Sequence, residues 1–325
     1  MKYILITGSE GLVGSEAVKF FQDKGWKVAG IDNNMRSTFF GVEAYEPMIT
    51  LDICDQEGLE GLFQRFTFDA IIHTAAQPSH DWAKKNPLLD FKVNAQGTLT
   101  LLETARKYCP NAVFVHVSTD KVYGENMVTP LEELDTRYNA TTIQGFTETI
   151  GLDFAGQRSL FGCSKTAADI YAQEYANYFG MNVGVFRPGC ITGGRHKGAE
   201  EHGFLAYLAK CIKENKPYHI FGYKGKQVRD QIHSYDLVNA FYHFIEHPTP
   251  GAVYNIGGGP ERSVSVLEAI DMIEQETDGL CKYEILEGRK GDRQWDVHDI
   301  SKFRKQYPSW EYMYSLKDII KDLSI

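Results

Sequence analysis

The chain has 325 residues, of which 43% are hydrophobic and 24% charged, and its formal net charge is -9. That length accommodates one large domain or two intimate ones, while the acidic balance speaks against a general nucleic-acid binder, whose phosphate partners demand a basic face. A mean hydropathy of -0.33, with no apolar run near roughly 20 residues, excludes a membrane-spanning helix. The chain starts on a strand pattern with no secretory signal layout. Its cysteines (Cys54, Cys109, Cys163, Cys190, Cys211 and Cys281) are scattered, with no C-x-x-C pair. They read as reduced thiols of a cytoplasmic protein. Cysteine and histidine show no metal-ligand spacing, so no metal is expected.

Residues 4–7 read as a strand that runs straight into Gly8-Ser9-Glu10-Gly11-Leu12-Val13-Gly14, and a helical pattern follows over 11–24. Spaced glycines between a strand and a helix let the backbone approach a pyrophosphate. The helix end supplies free N–H groups and partial positive charge. A second strand, 27–31, ends on Asp32, about 20 residues past the glycines, where an acid accepts hydrogen bonds from both hydroxyls of an adenosine ribose and repels a 2′-phosphate. Asn33, Asn34 and Arg36 follow it.

Strands at 48–51, 70–73 and 112–117 alternate with helices at 56–66 and 88–108, then a helix at 159–180 and a strand at 181–186. Such alternation predicts an α/β fold: a Rossmann-type, doubly wound parallel sheet covered on both faces. Ligands on such sheets bind beyond the carboxyl ends of the strands. The residues there are Asp52 and Ile53, Thr74 to Gln77 with Ala75 and Ala76, and Ser118-Thr119-Asp120. After Arg187-Pro188-Gly189 the alternation weakens. Helices at 199–215, 235–247, 265–277 and 316–323 mix with short apolar segments. This predicts an NAD-binding domain over 1–187 and a smaller mixed α/β substrate lobe over 188–325, sharing a cleft. The polar stretch 129–157 reads as a functional loop.

Several motifs, taken together, carry a resemblance. They are the glycine fingerprint, His73-Thr74-Ala75-Ala76-Gln77, Val93-Asn94-Ala95-Gln96-Gly97-Thr98 and Ser118-Thr119-Asp120-Lys121-Val122-Tyr123-Gly124. They continue through Gly162-Cys163-Ser164-Lys165-Thr166-Ala167-Ala168-Asp169, Phe186-Arg187-Pro188-Gly189 and Gly225-Lys226-Gln227-Val228-Arg229-Asp230. The chain resembles the extended short-chain dehydrogenase/reductase family, in particular its NAD-dependent nucleotide-sugar epimerases and dehydratases. It is most similar to the CDP-tyvelose (CDP-paratose) 2-epimerase group.

The resemblance implies NAD as cofactor. Gly8, Gly11, Leu12, Val13, Gly14, Asp32, Asn33, Asn34, Arg36, Asp52, Ile53, Thr74, Ala75, Ala76, Gln77, Asn94, Ser118, Lys165, Arg187 and Pro188 would contact it. It implies a nucleotide-diphosphate sugar, with a CDP-sugar favoured, as substrate. Thr119, Asp120, Gly189, Cys190, Arg195, His196, Gln227, Arg229 and Arg293 would line it. By residue type alone, a guanidinium such as that of Arg229 grips a diphosphate bidentately, and Asp230 beside it is expected to orient Arg229. It further implies a homodimer or homotetramer.

In that family a tyrosine four residues before the lysine is the acid/base. Lys165 matches the lysine, and Thr119 or Ser118 matches the hydroxyl after the fifth strand. Position 161 is phenylalanine, and a benzyl side chain carries no proton. Three accounts stay open: another group over the same pocket takes the role, with His80, Asp81, Tyr138 and His196 as candidates; the chain is a disabled form of an ordinary enzyme; or it binds nucleotide without turnover. A 4-epimerase or 4,6-dehydratase is the alternative reaction. Asp120 is followed by Lys121 and not by a second acid, which disfavours the dehydratase.

Overall fold

The computed structural model describes residues 1–35, 48–152, 156–194, 203–277, 279–288 and 292–324. The chain forms two compact units. The first comprises Met1–Val122, Arg158–Arg187 and Leu237–Tyr254; the second comprises Tyr123–Gln157, Pro188–Asp236 and Asn255–Ile325.

The first unit is built on strands β1 (Tyr3–Thr7), β2 (Lys27–Asp32), β3 (Ile49–Thr50), β4 (Ala70–His73), β5 (Val113–Val117), β8 (Val183–Pro188) and β12 (Val253–Ile256), in spatial order β12-β8-β5-β4-β1-β2-β3. The pairings from β3 through β8 are parallel. Ile4, Leu5, Ile6, Ile71, Ile72, Phe114, Val115, Val183 and Val185 are buried. Apolar runs without alternation suit strands covered on both faces. The order turns outward in both directions from β1 and β4, which creates the switch point where such sheets bind ligands.

Helices α1 (Leu12–Asp23), α2 (Gln56–Arg65), α3 (His80–Lys85), α4 (Pro87–Phe91), α5 (Thr98–Tyr108) and α6 (Leu160–Phe179) accompany these strands, and a π-helical stretch, Lys92–Gly97, runs continuously from α4 into α5. The α6 boundaries are written in the chain. Ser159 accepts a hydrogen bond from the Gly162 amide at its start, and Gly180 ends it at φ 68°, the left-handed cap glycine allows without steric cost.

In the second unit β9 (Cys190–Thr192), β11 (Val228–His233), β13 (Ser263–Ser265) and β15 (Trp295–Asp296) form one sheet around β11. β10 (Pro217–Phe221) pairs in parallel with β14 (Lys282–Leu286), and β6 (Leu131–Glu133) with β7 (Tyr138–Ala140) in antiparallel. α7 (Phe204–Lys213), α9 (Val266–Thr277) and α11 (Leu316–Ser324) pack through Leu205, Leu208, Ile270, Ile273, Ile319 and Ile320. α10 (Ser301–Gln306) and α8 (Ser234–Glu246), which belongs to the first unit from Leu237 onward, complete the described helices. The polar stretch 129–157 therefore holds the β6–β7 hairpin. Among the described residues, no helix is long and apolar enough to cross a membrane.

Candidate active site

The glycine turn is built by steric exclusion. Gly8 has φ 69°, and a Cβ there would sit 2.7 Å from the Ala75 amide nitrogen. A Cβ on Gly14 would press 2.7 Å from the Gly8 carbonyl carbon, so glycine lets α1 seat against the turn. α1 begins at Gly11 with no side-chain cap and no acid in its first turn. The amides of Leu12, Val13 and Gly14 at this end have no intrahelical partner and attract an anion. Across the turn, Asp32 accepts from the amides of Glu10 (3.1 Å) and Asn34 (2.8 Å), which holds its carboxylate over the glycines. Asp52 accepts from Asn33 Nδ2 at 2.9 Å and from the Cys54 amide at 2.8 Å. Ile53 is buried. Arg36, Arg195 and His196 lie outside the described residues.

Beyond β4, Thr74 donates to the Thr7 carbonyl (2.7 Å), and the Ala75 amide donates to the Thr7 hydroxyl (3.2 Å). The Gln77 amide group donates to Ser79 O and Asp90 Oδ1, both at 2.8 Å, while Asn94 Nδ2 donates to Gln77 O, Asp90 and Ser164 Oγ. Burial pushes the Asp90 carboxyl up, with bonds from Ser164 and Gln77 opposing. These side chains shape the loop rather than face outward.

At the end of β5, Ser118 Oγ donates to Asp169 Oδ2 at 2.5 Å, and Arg187 binds the same carboxylate through Nε (2.9 Å) and Nη2 (2.7 Å). Thr119 Oγ1 lies 3.2 Å from Asp120 Oδ1 and accepts from the Lys121 amide. Asp120 pairs with Lys121 Nζ at 2.7 Å. Lys165 is buried and donates from Nζ to the Val117 carbonyl at 2.7 Å. Burial pulls its ammonium down to about 8, against the charges of Asp169 and Asp90. The ammonium therefore holds the last peptide of β5, directly before the Ser118 and Thr119 hydroxyls. His73, between Thr7 and Thr98, is pulled down to about 3 by burial and by Lys165.

Phe161, one turn before Lys165, is buried. The His80 ring stands edge-on to it, with centroids 4.9 Å apart and planes at 63°. His80 Nδ1 lies 2.6 Å from Ser159 Oγ.

In the second unit, Gln227 Nε2 donates to Phe221 O at 3.2 Å. Arg229 donates to Val228 O and Arg293 O, each at 2.7 Å, and to Asp292 Oδ1. Burial opposes the Arg229 charge, but Asp292 and Asp296 outweigh it and raise its pKa. Arg293 grips Asp296 through Nε (3.1 Å) and Nη2 (2.6 Å). Asp230 does not orient Arg229. Successive strand residues face opposite ways, and Asp230 accepts from the Gly259 amide (3.0 Å), the His298 amide (3.2 Å) and lies 2.9 Å from His298 Nδ1. A Cβ on Gly189 would meet that pair, 2.7 Å from the His298 ring and 2.8 Å from Asp230. Cys190 opposes Gln231 across the β9–β11 pair.

Sequence reasoning missed Asp169, Asp292 and His298. Asp169 had a local signal, an acid four residues after Lys165 on one helix face. Asp292 and His298 had none.

Residues 4–257 match the model of the NAD dependent epimerase/dehydratase family, and the chain belongs to that family. NAD is the family's cofactor. The chain is 31% identical over 335 residues to a CDP-paratose 2-epimerase of Salmonella typhi, covering 98% of this chain and 97% of the relative. It is 29% identical over 277 residues to a dTDP-glucose 4,6-dehydratase of Salmonella typhimurium, covering 80% of this chain and 73% of that one. A UDP-glucose 4-epimerase structure from Thermotoga maritima superposes with TM-score 0.83 at 26% identity, covering 99% and 97% of the two chains.

Proposed function

We propose that this chain is an NAD-dependent epimerase of a nucleotide-diphosphate sugar, acting at C2 of a CDP-linked sugar. When bound, NAD supplies reversible oxidation of a carbinol to a ketone, which inverts the carbon if the hydrogen returns to the opposite face.

In the first unit, the uncapped start of α1 supports Gly8, Gly11, Leu12, Val13 and Gly14 as the pyrophosphate cradle. The carboxylate of Asp32, held by two backbone amides, suits ribose hydroxyls. Asn33, Asn34, Asp52, Ile53 and Thr74 to Gln77 border the cofactor in this reading, with Asn94, Arg187 and Pro188 behind them. Lys165 positions the nicotinamide ribose. Thr119 hydrogen-bonds the reacting sugar oxygen, since the Ser118 proton is already directed at Asp169. In the second unit, Gly189, Cys190, Gln227, Arg229 and Arg293 serve the nucleotide and diphosphate, with Asp292 holding the Arg229 fork in one orientation.

The observation that carries the epimerase over the dehydratase is the Asp120–Lys121 pair at 2.7 Å. Elimination of water needs an acid poised to protonate a leaving hydroxyl. Here the carboxylate beside Thr119 is ion-paired with its own neighbour, Lys121. Holoprotein incubated with CDP-paratose should yield the C2 epimer by NMR. A 4-keto-6-deoxy product from any nucleotide sugar would replace this reading with the dehydratase.

Phe161 favours one second reading, an NAD-loaded protein that binds nucleotide sugars without turnover. That reading predicts calorimetric binding with no epimer formed. We also propose that the chain works as a homodimer or homotetramer. Leu88, Phe91 and Tyr178 are 87%, 56% and 80% exposed, and in such an assembly some of these side chains would be covered. The free cysteines suit a reducing cytoplasm.

A further inference from the structure

We propose that His80 is the acid/base group of this site, held in place by Ser159, on the epimerase reading given above. Oxidising a carbinol requires that its hydroxyl proton leave as the C–H bond breaks. In this chain the side chain one turn before Lys165 is a benzyl group, so the proton must go elsewhere. The group that covers that benzyl ring is an imidazole.

The placement follows from two helix caps. Ser79 accepts from the Trp82 amide at 3.1 Å, which starts α3 and makes His80 its first residue. Ser159 accepts from the Gly162 amide at 3.1 Å, which starts α6, the helix that carries Phe161 and Lys165. The two starts are joined by His80 Nδ1 and Ser159 Oγ at 2.6 Å, and the His80 ring rests edge-on at 4.9 Å from Phe161. The imidazole is exposed, at the carboxyl end of β4, beside the strand whose end carries Thr119.

The serine suits a partner that changes protonation. A hydroxyl has one donor and two acceptor positions. One acceptor position serves the Gly162 amide. The rest of the hydroxyl accepts from a protonated Nδ1 or donates to a bare one, so the tie to Ser159 survives either state. Histidine is also the side chain most often used for general acid/base transfer.

The step balances within the site. The O–H and C–H bonds of the carbinol break and a C=O bond forms. The proton passes to the His80 ring, and the hydrogen with its electron pair passes to bound NAD. Both then return, the second to the opposite face of the ketone.

The test compares holoprotein carrying His80→Ala, His80→Gln and the pair His80→Ala with Phe161→Tyr, using CDP-paratose as probe and reading the C2 epimer together with NAD content. His80→Ala should slow epimerisation by about a hundredfold to ten-thousandfold while NAD content holds. His80→Gln, which keeps a polar group against Ser159, should lose as much. Added imidazole should restore part of the His80→Ala rate, and Phe161→Tyr should restore part by placing a phenol one turn before Lys165. Wild-type turnover with His80→Ala equally fast would overturn the proposal and leave the epimerase standing. A wild-type chain that converts no nucleotide sugar would overturn both.

Discussion

Arg187 binds Asp169 through two parallel hydrogen bonds of 2.9 and 2.7 Å, and both side chains are buried. The pair joins the end of β8 to the middle of α6, and Ser118 adds its hydroxyl to the same carboxylate. Removing one partner of a buried pair leaves an uncompensated charge and costs about 3–5 kcal/mol. Asp169→Asn should lower the urea midpoint accordingly, whereas Asp169→Leu with Arg187→Met should recover most of it. Equal losses in the single and double variants would show that the charge pair is not what matters there.

Asp32 should make the protein choose NAD over NADP. A 2′-phosphate about 4 Å from that carboxylate would meet a repulsion of roughly 4 kcal/mol at an effective dielectric near 20. Asp32→Ala should narrow the affinity ratio measured by calorimetry. A wild-type protein that binds both cofactors alike would remove the role assigned to this residue.

Lys165 should leave a signature in the pH dependence of stability. Its folded pKa of about 8 lies below the ordinary value of 10.5 because burial opposes the ammonium. Below pH 8 both states hold the proton and the penalty is complete. Between 8 and 10.5 the unfolded chain holds more protons, so stability climbs with pH. Lys165→Met should therefore be more stable than wild type near neutrality, by up to roughly 3 kcal/mol, with the gap closing toward pH 10.5. The same variant should bind NAD more weakly. Parallel stability curves over that range would rule out a charged, buried Lys165.

Gly184 in β8 faces the Phe244 ring, and a Cβ there would come 2.7 Å from Phe244 Cε1. Overpacking of this kind costs about 1–3 kcal/mol. Gly184→Ala should lose that much in urea unfolding, and Phe244→Leu in the same chain should return part of it.

Much of the first unit is legible because its signals are local. Apolar runs without alternation mark β1, β4, β5 and β8, and Ser159 and Gly180 bound α6 within a residue of the expected ends. The stretch read as one helix over 88–108 is helical throughout, but its middle, Lys92–Gly97, winds as a π-helix between α4 and α5. Asn94 is turned inward to Gln77, Asp90 and Ser164, and Thr98 donates to Asn94 O, contacts that no periodicity announces. α3 escaped notice because six residues hold too little pattern. The segment around Arg229 and Asp230, expected as a pair, is the strand β11, and its alternation sends Arg229 and Asp230 to different partners. The partner of Arg229 is Asp292, and no spacing rule connects residues so far apart in sequence.

On the proposed function, a C2 hydrogen leaves the sugar and returns to the same molecule. CDP-paratose deuterated at C2, incubated with holoprotein in ordinary water, tests it directly. The expected product is a C2 epimer that keeps its deuterium, with transient reduction of the bound NAD visible in its absorbance. An epimer that has exchanged its deuterium for solvent hydrogen would rule out hydride transfer, because the carbon would then have been inverted by proton removal and not by oxidation.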